Sequence, residues 1–402
     1  MKSQTEMDSR TPENTRPIFR HGRQLRVLII GGGVAGLTLA GLLEQRGLEP
    51  TVVEQAPSYG DIGYVIVLWP SGSGILKGLG LYRNLLEVGI KFTRYNIKND
   101  KNQMLHSYSI DPVTEKYGPI ISTYRPDLIN TLREGVNRSN IKMGVTVEKI
   151  EQNRDEATVT FDNGNKETYD LVVGCDGIRS RIRRMVFGDF PLNYSGMTGW
   201  GFWVKNNSTP PGQITEYWGR GKFFGIWPTK GRLSVFTSVQ APPHTPDPPE
   251  NRIQRIRKEF REFDGLVPGI LEELDNPYEI FRDDYNDLRM HKWHKDRVIL
   301  IGDAAHPILP HGGGGAAMAI ESALVLAEEI CRVDSKSVTQ AFENFTKRRK
   351  KRVDKIQSQS RFIAGLVLAN NRLMFSIRNF AFRLYCNRLF LRSWGKILSE
   401  PI

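Results

Sequence analysis

The stretch Val298–Ile330, VILIGDAAHPILPHGGGGAAMAIESALVLAEEI, decides how the chain folds. Its first four residues are apolar and read as a buried strand. Asp303 stands just past the carboxyl edge of that strand, and Pro310 with the glycines 312–315 leads into an apolar-periodic helix from Ala316. Open α/β sheets bind ligands beyond the carboxyl ends of their strands, so Asp303 is placed where a carboxylate holds a ligand hydroxyl. The glycine run lets backbone approach a flat ring system, with the positive end of a helix aimed at it.

A second segment fits the first. LRVLII, residues 25–30, reads as another buried strand, and Gly31-Gly32-Gly33-Val34-Ala35-Gly36 is G-x-G-x-x-G running into the helix LTLAGLLEQRG. Thr51-Val52-Val53-Glu54 is the next strand, with Glu54 about 20 residues past the loop, where an acid binds ribose hydroxyls. The order strand, loop, helix, strand, acid makes a dinucleotide site of a motif that is weak by itself.

Between them, ATVTFDNGNKETYDLVVG carries an Asn163-Gly164 hairpin turn, and its second strand runs into Cys175-Asp176-Gly177-Ile178-Arg179-Ser180-Arg181-Ile182-Arg183. Taken in order, the three segments resemble the FAD-dependent monooxygenases typified by aromatic-ring hydroxylases such as p-hydroxybenzoate and salicylate hydroxylases. The matching marks are the Gly31/Gly33/Gly36 loop, the D-G-x-x-S-x-x-R segment Asp176, Gly177, Ser180 and Arg183, and Gly302-Asp303-Ala304-Ala305-His306 with Pro310. Arg125, in TYRPDLINTLREGV, corresponds to a family arginine that contacts FAD. The likeness runs from about residue 26 to about residue 349. The chain departs from the family in Gly312-Gly313-Gly314-Gly315 where G-x-G is usual, in Ser322 where an acid is common, and in Val65 beside the flavin position.

The resemblance implies an α/β fold: a Rossmann-like FAD-binding domain of the glutathione-reductase type, interleaved with an antiparallel β-sheet substrate domain and followed by C-terminal helices. The expected bounds are a disordered tail over 1–22, the FAD-binding domain over 23–185 and 285–350, the substrate sheet over 186–284, and C-terminal helices over 351–402. It also implies noncovalent FAD, held by Gly31, Gly33, Val34, Ala35, Gly36, Glu54, Arg125, Asp176, Gly302, Asp303, Gly315 and Ala316. NADPH or NADH visits as a transient donor, met by Asp176 and Arg183, since no second dinucleotide motif exists. O2 then gives a flavin C4a-hydroperoxide that hydroxylates or epoxidises an apolar, aromatic or polycyclic small molecule. Pro310, His311 and Gly315 are the candidates nearest the chemistry; His306 orients its loop. The alternatives are a related flavin reductase of isoprenoid lipids and a non-redox cyclase scaffolded on FAD.

Composition agrees. A chain of 402 residues, 39% hydrophobic, buries an ample core. Three cysteines without metal spacing imply a reducing, cytoplasmic setting and no metal site. The polar first 22 residues are not a secretory signal, and no apolar run reaches the ~18 residues of a membrane span. The net charge of +12 comes with the clusters 179–184 and 347–352 but with no nucleic-acid recognition fold, so nucleic acid is not the expected partner. The second cluster reads as the solvated face of a helix, the first as an electrostatic draw on a dinucleotide.

Within 186–284, GWGFWVKN, GQITEYWGR, KFFGIWPT and RLSVFTSVQ read as antiparallel strands rich in aromatics. Trp203, Tyr217, Phe224 and Trp227 are the candidate substrate residues. The arginine-punctuated C-terminal segment is suited to docking on the FAD domain, with peripheral membrane contact as the alternative. Oligomeric state is left open.

Overall fold

The computed structural model describes residues 24–60, 63–205, 209–384, 387–400 and 402; the expected 1–22 tail and Cys386 lie outside them. A six-stranded sheet carries the cofactor half, in the order His294–Lys295, Val298–Leu300, Leu171–Gly174, Val27–Ile30, Thr51–Glu54, Asn140–Met143. All neighbours are parallel except the 294–295 edge, and the central strands are buried on both faces, which is why they read as continuous apolar runs. The Val34–Gln45 and Gly315–Ile330 helices pack on it side by side.

The second half is a seven-stranded sheet ordered Phe281–Asp287, Asn193–Val204, Arg232–Gln240, Lys222–Thr229, Gln213–Trp218, Arg94–Asn99, Met104–Ser109. Two strands therefore come from residues 94–109, inside the segment expected to belong wholly to the FAD-binding domain, and the edge strand runs past 284. The sheet is mixed, because Gln213–Trp218 pairs in parallel with Arg94–Asn99. The Pro249–Phe260 and Val267–Glu272 helices cover its outer face.

The Val338–Val367 helix begins against the cofactor half and ends over the substrate sheet. The basic run 347–352 on it is more than a solvated face. Arg349 and Arg352 are buried, and both donate to Glu321 of the Gly315–Ile330 helix, Arg349 Nη1 at 2.7 Å and Arg352 Nε at 2.8 Å. Next along the chain, the Arg372–Leu384 helix docks on the substrate sheet through the buried Arg378, which donates to the carbonyls of Val367 and Trp218 at 2.7 and 2.9 Å. Its other face leaves Leu373, Met374, Ile377, Phe380 and Leu384 exposed. Arg352 also donates to Ile397 O, and the Trp394 ring lies tilted against Trp69 with centroids 5.7 Å apart, so the last helix docks on the cofactor half. Among the described residues, no helix is long and apolar enough to cross a membrane.

Candidate active site

The three motif segments meet at the carboxyl ends of the six-stranded sheet. Gly31 has φ +110°, and a Cβ there would lie 2.5 Å from the carbonyl oxygen of Cys175, so only glycine lets the loop cross that strand. Gly302, at φ +59°, brings the Asp303 turn against Ala35, with 3.1 Å between a would-be Cβ and the Ala35 Cβ. Gly36 allows the helix to rise directly under the Gly31 carbonyl, which a Cβ would approach to 2.0 Å.

Gly31, Gly33, Val34, Ala35, Glu54, Arg125, Asp176, Asp303, Pro310, His311, Gly315 and Ala316 all line one cavity of about 1600 Å³. Pockets for single drug-sized ligands run to about 300–1,000 Å³. This one has room for a large cofactor and a second molecule. The Val34–Gln45 and Gly315–Ile330 helices both begin on it without a side-chain cap, so their first N–H groups and positive ends are available to anionic groups. Glu54 accepts from Gly32 N at 2.8 Å and Ala56 N at 2.9 Å, leaving about half of its acceptor positions for hydroxyls. Asp303 is open to the cavity yet lies deep in the molecule; burial pushes its carboxyl up to about 6, with Arg125 acting against the shift. Uncapped helix ends, a half-used acid and a cavity-facing carboxylate suit the pyrophosphate and hydroxyls of an elongated dinucleotide, so these residues fit FAD.

The D-G-x-x-S-x-x-R segment differs from expectation. Asp176 accepts from Ser180 Oγ at 2.5 Å and from the amides of Arg181 and Ile182 at 2.7 and 3.1 Å, so its carboxylate is occupied in capping its own helix. Arg183 does not reach the cavity. It is 3% exposed and donates to the carbonyls of Ala304 at 2.9 Å and Ile178 at 2.7 Å. Assigning it to NAD(P)H is therefore corrected: its charge is spent on clamping the Asp303 turn. The cavity-lining arginines of the segment are Arg179, Arg181 and Arg184, all exposed.

Tyr217 and Phe224 are corrected too. Both are fully buried on the outer face of the substrate sheet, packed with Phe260 and its neighbours. Their neighbours in sequence, Glu216, Trp218 and Phe223, line the cavity instead, because side chains alternate along a strand and the pattern is offset by one residue. Trp203 and Trp227 do line it. Trp203 is held by donating to Gly63 O at 2.9 Å and by Arg232, whose guanidinium lies 4.3 Å from its ring. Sequence reasoning missed Glu216, Tyr95 and Phe236; the Asn-Asp-Lys-Asn turn 99–102 between the strands at 94–99 and 104–109 was the available signal for Tyr95.

His311 lines the cavity, its Nε2 3.0 Å from Ser238 Oγ, among Phe223, Phe236 and Tyr285. Burial lowers it to about 4, so it is neutral near pH 7. His306 is likewise lowered, to about 3, by burial and then by Arg349; its Nε2 lies 3.1 Å from Ser322 Oγ, a contact that fixes the loop onto the Gly315–Ile330 helix. No group of metal-ligating side chains is found among the described residues.

The family described as FAD binding domain matches residues 24–360. The chain belongs to this family. It is 30% identical over 366 residues to 2-heptyl-3-hydroxy-4(1H)-quinolone synthase of Pseudomonas aeruginosa, covering 90% of this chain and 95% of that one. It is 29% identical over 306 residues to aurachin C monooxygenase/isomerase of Stigmatella aurantiaca, covering 75% and 80%. Among solved structures, Klebsiella pneumoniae HpxO complexed with FAD and uric acid superposes with a TM-score of 0.87 at 24% identity, over 94% of this chain and 97% of that one, a likeness of fold. The protein is an FAD-dependent oxidoreductase of the monooxygenase kind.

Proposed function

We propose that this FAD-dependent monooxygenase uses NAD(P)H and O2 to hydroxylate or epoxidise an apolar aromatic or polycyclic molecule. The observation that carries the reading is the continuity of the cavity, from the Gly31 loop and Asp303 to a chamber walled by Trp227, Phe223, Phe236 and Tyr108. Its size and walls suit a ring system with an apolar substituent, as the heptylquinolone product of the first relative has. Bound FAD supplies the electron transfer and oxygen chemistry. The protein holds it noncovalently with Glu54, Arg125 and Asp303, and the uncapped end of the Gly315–Ile330 helix favours negative charge on the ring. The sheet and the C-terminal helices keep water from the reacting centre.

NAD(P)H visits without a site of its own, drawn by Arg179, Arg181 and Arg184 at the cavity edge. We further propose a reducing, cytoplasmic setting on the number and spacing of the cysteines in the sequence. The exposed apolar row of the Arg372–Leu384 helix, flanked by Arg372 and Arg383, supports peripheral contact with an anionic lipid surface; co-sedimentation with phosphatidylserine vesicles, lost in Phe380→Glu, tests it.

The function is tested by screening bicyclic and polycyclic aromatics for stimulated NADPH oxidation with O2 uptake by the yellow holoenzyme. NADPH oxidation without O2 uptake would point to the reductase alternative, and FAD binding without NADPH oxidation to the cyclase.

A further inference from the structure

The floor of the chamber is mostly aromatic and aliphatic, with an ionisable group on an interior strand. Glu216 is in register with Gly225 on one side and Ile97 on the other, and its side chain faces the cavity although the residue is only 4% exposed. Tyr95 Oη donates to one carboxylate oxygen and Trp218 Nε1 to the other at 2.8 Å. No lysine or arginine acts on it among the described residues. Burying a carboxylate without a cation is costly, and Ile97 and Ile214 show that apolar side chains suit this floor. An ionised carboxylate offers about four acceptor positions, and the two donors fill half of them.

The surroundings of Glu216 are flat. Gly225 yields its side-chain space to Trp227, whose ring would meet a Cβ at 2.1 Å, so an aromatic plane lies over the residue paired with Glu216. Tyr95 stacks on Tyr108 at 5.3 Å and 7°.

We infer that Glu216, held by Tyr95 and Trp218, is the recognition residue of the chamber, accepting a hydrogen bond from a ring N–H or O–H of a flat aromatic substrate that rests on Trp227. The ligand class is a bicyclic or larger aromatic with a donor at one edge and no anionic group there, which the carboxylate would repel. This deepens the monooxygenase reading and rests on it for the reaction, but not for binding.

The test titrates wild-type holoenzyme and Glu216→Gln with two probe pairs, quinolone against N-methylquinolone and naphthol against methoxynaphthalene, followed by flavin absorbance. The donor member of a pair binds the wild type about tenfold or more tightly than its methylated twin, and Glu216→Gln weakens the donors by about ten- to hundredfold while leaving the twins unchanged. Burial pushes the Glu216 carboxyl up to about 7 against the two hydrogen bonds, so donor affinity falls as pH drops through that value, and the fall is absent in Glu216→Gln. Trp218→Phe, which keeps the ring and removes one donor, shifts that pH dependence upward. Donors that do not bind, or that bind like their twins, or that bind wild type and Glu216→Gln alike, overturn the inference. Flavin content and aromatic-stimulated NADPH oxidation with O2 uptake are read in parallel in the wild type: if both are present while donor preference is absent, the recognition role fails alone, and if no flavin is bound or no aromatic stimulates NADPH oxidation, the monooxygenase reading fails.

Discussion

The guanidinium of Arg183 donates to the carbonyl of Ala304 over 2.9 Å, tying the helix after the second motif to the turn that carries Asp303. With its second bond to Ile178 O at 2.7 Å, the buried charge is consumed by two carbonyls. Arg183→Ala is expected to lower FAD affinity and cost about 2–3 kcal/mol of stability, since truncation leaves both carbonyls short of a charged donor. The NADPH Michaelis constant of the remaining holoenzyme stays unchanged, as stopped-flow flavin reduction would show; a raised constant would restore a direct role.

On the proposed reading, attraction of NADPH falls instead to the exposed Arg179, Arg181 and Arg184. In the Arg179→Ala/Arg184→Ala double variant the rate of flavin reduction at limiting NADPH drops, and its salt dependence flattens, because screening acts on exposed charge. Equal salt slopes in variant and wild type would count against this.

Asp303 gives a pH dependence. FAD prefers the ionised carboxylate as acceptor, so affinity is full above about pH 6 and declines as the pH falls through that value in the apoprotein. Asp303→Asn should bind FAD about ten- to hundredfold more weakly at neutral pH and lose the acid-side decline. Equilibrium titration of apoprotein with FAD across pH checks both.

Glu321 holds the Gly315–Ile330 helix through Arg349 and Arg352, with all three side chains buried. Burial pushes its carboxyl up, but the hydrogen bond and charge of Arg352 and the charge of Arg349 outweigh that and hold it below the usual range. This stability is present above the ordinary glutamate range and is lost as acid protonates the group. Glu321→Ala leaves the buried Arg349 without a carboxylate and Arg352 with only Glu400, 3.6 Å away, and should cost about 3–5 kcal/mol, read as a lower thermal midpoint.

Trp227 and Phe224 lie on opposite faces of one strand. Trp227→Ala should change which aromatics stimulate NADPH oxidation with little loss of stability. Phe224→Ala should cost about 3–5 kcal/mol, as truncation of a buried ring does, and leave the substrate range intact.

The parts of the site legible in the sequence are those that backbone geometry dictates. A Cβ at Gly31 or Gly36 would collide with backbone and Gly302 needs a positive φ, while Glu54 ends one strand and Asp303 follows another at fixed spacing, so residue type and position carry the information. The substrate face was not legible, because alternation defines two faces without saying which meets the cavity; Tyr217 and Phe224 took the outer one. Glu216 and Tyr95 come together only through the parallel pairing of residues 213–218 with 94–99, which no local pattern announces. The arginines misled because their roles depend on tertiary partners: Arg183 met two carbonyls and Arg349 met Glu321.

The central claim is that the continuous cavity holds FAD and a ring substrate together so that one oxygen of O2 reaches the substrate. The direct measurement is mass spectrometry of the product formed by holoenzyme, NADPH and a stimulating aromatic under heavy-isotope dioxygen. One heavy oxygen atom per product molecule, with NADPH consumed, is the expected result. Product bearing oxygen only from water, or NADPH consumed with all the oxygen released as peroxide for every aromatic tried, would contradict it.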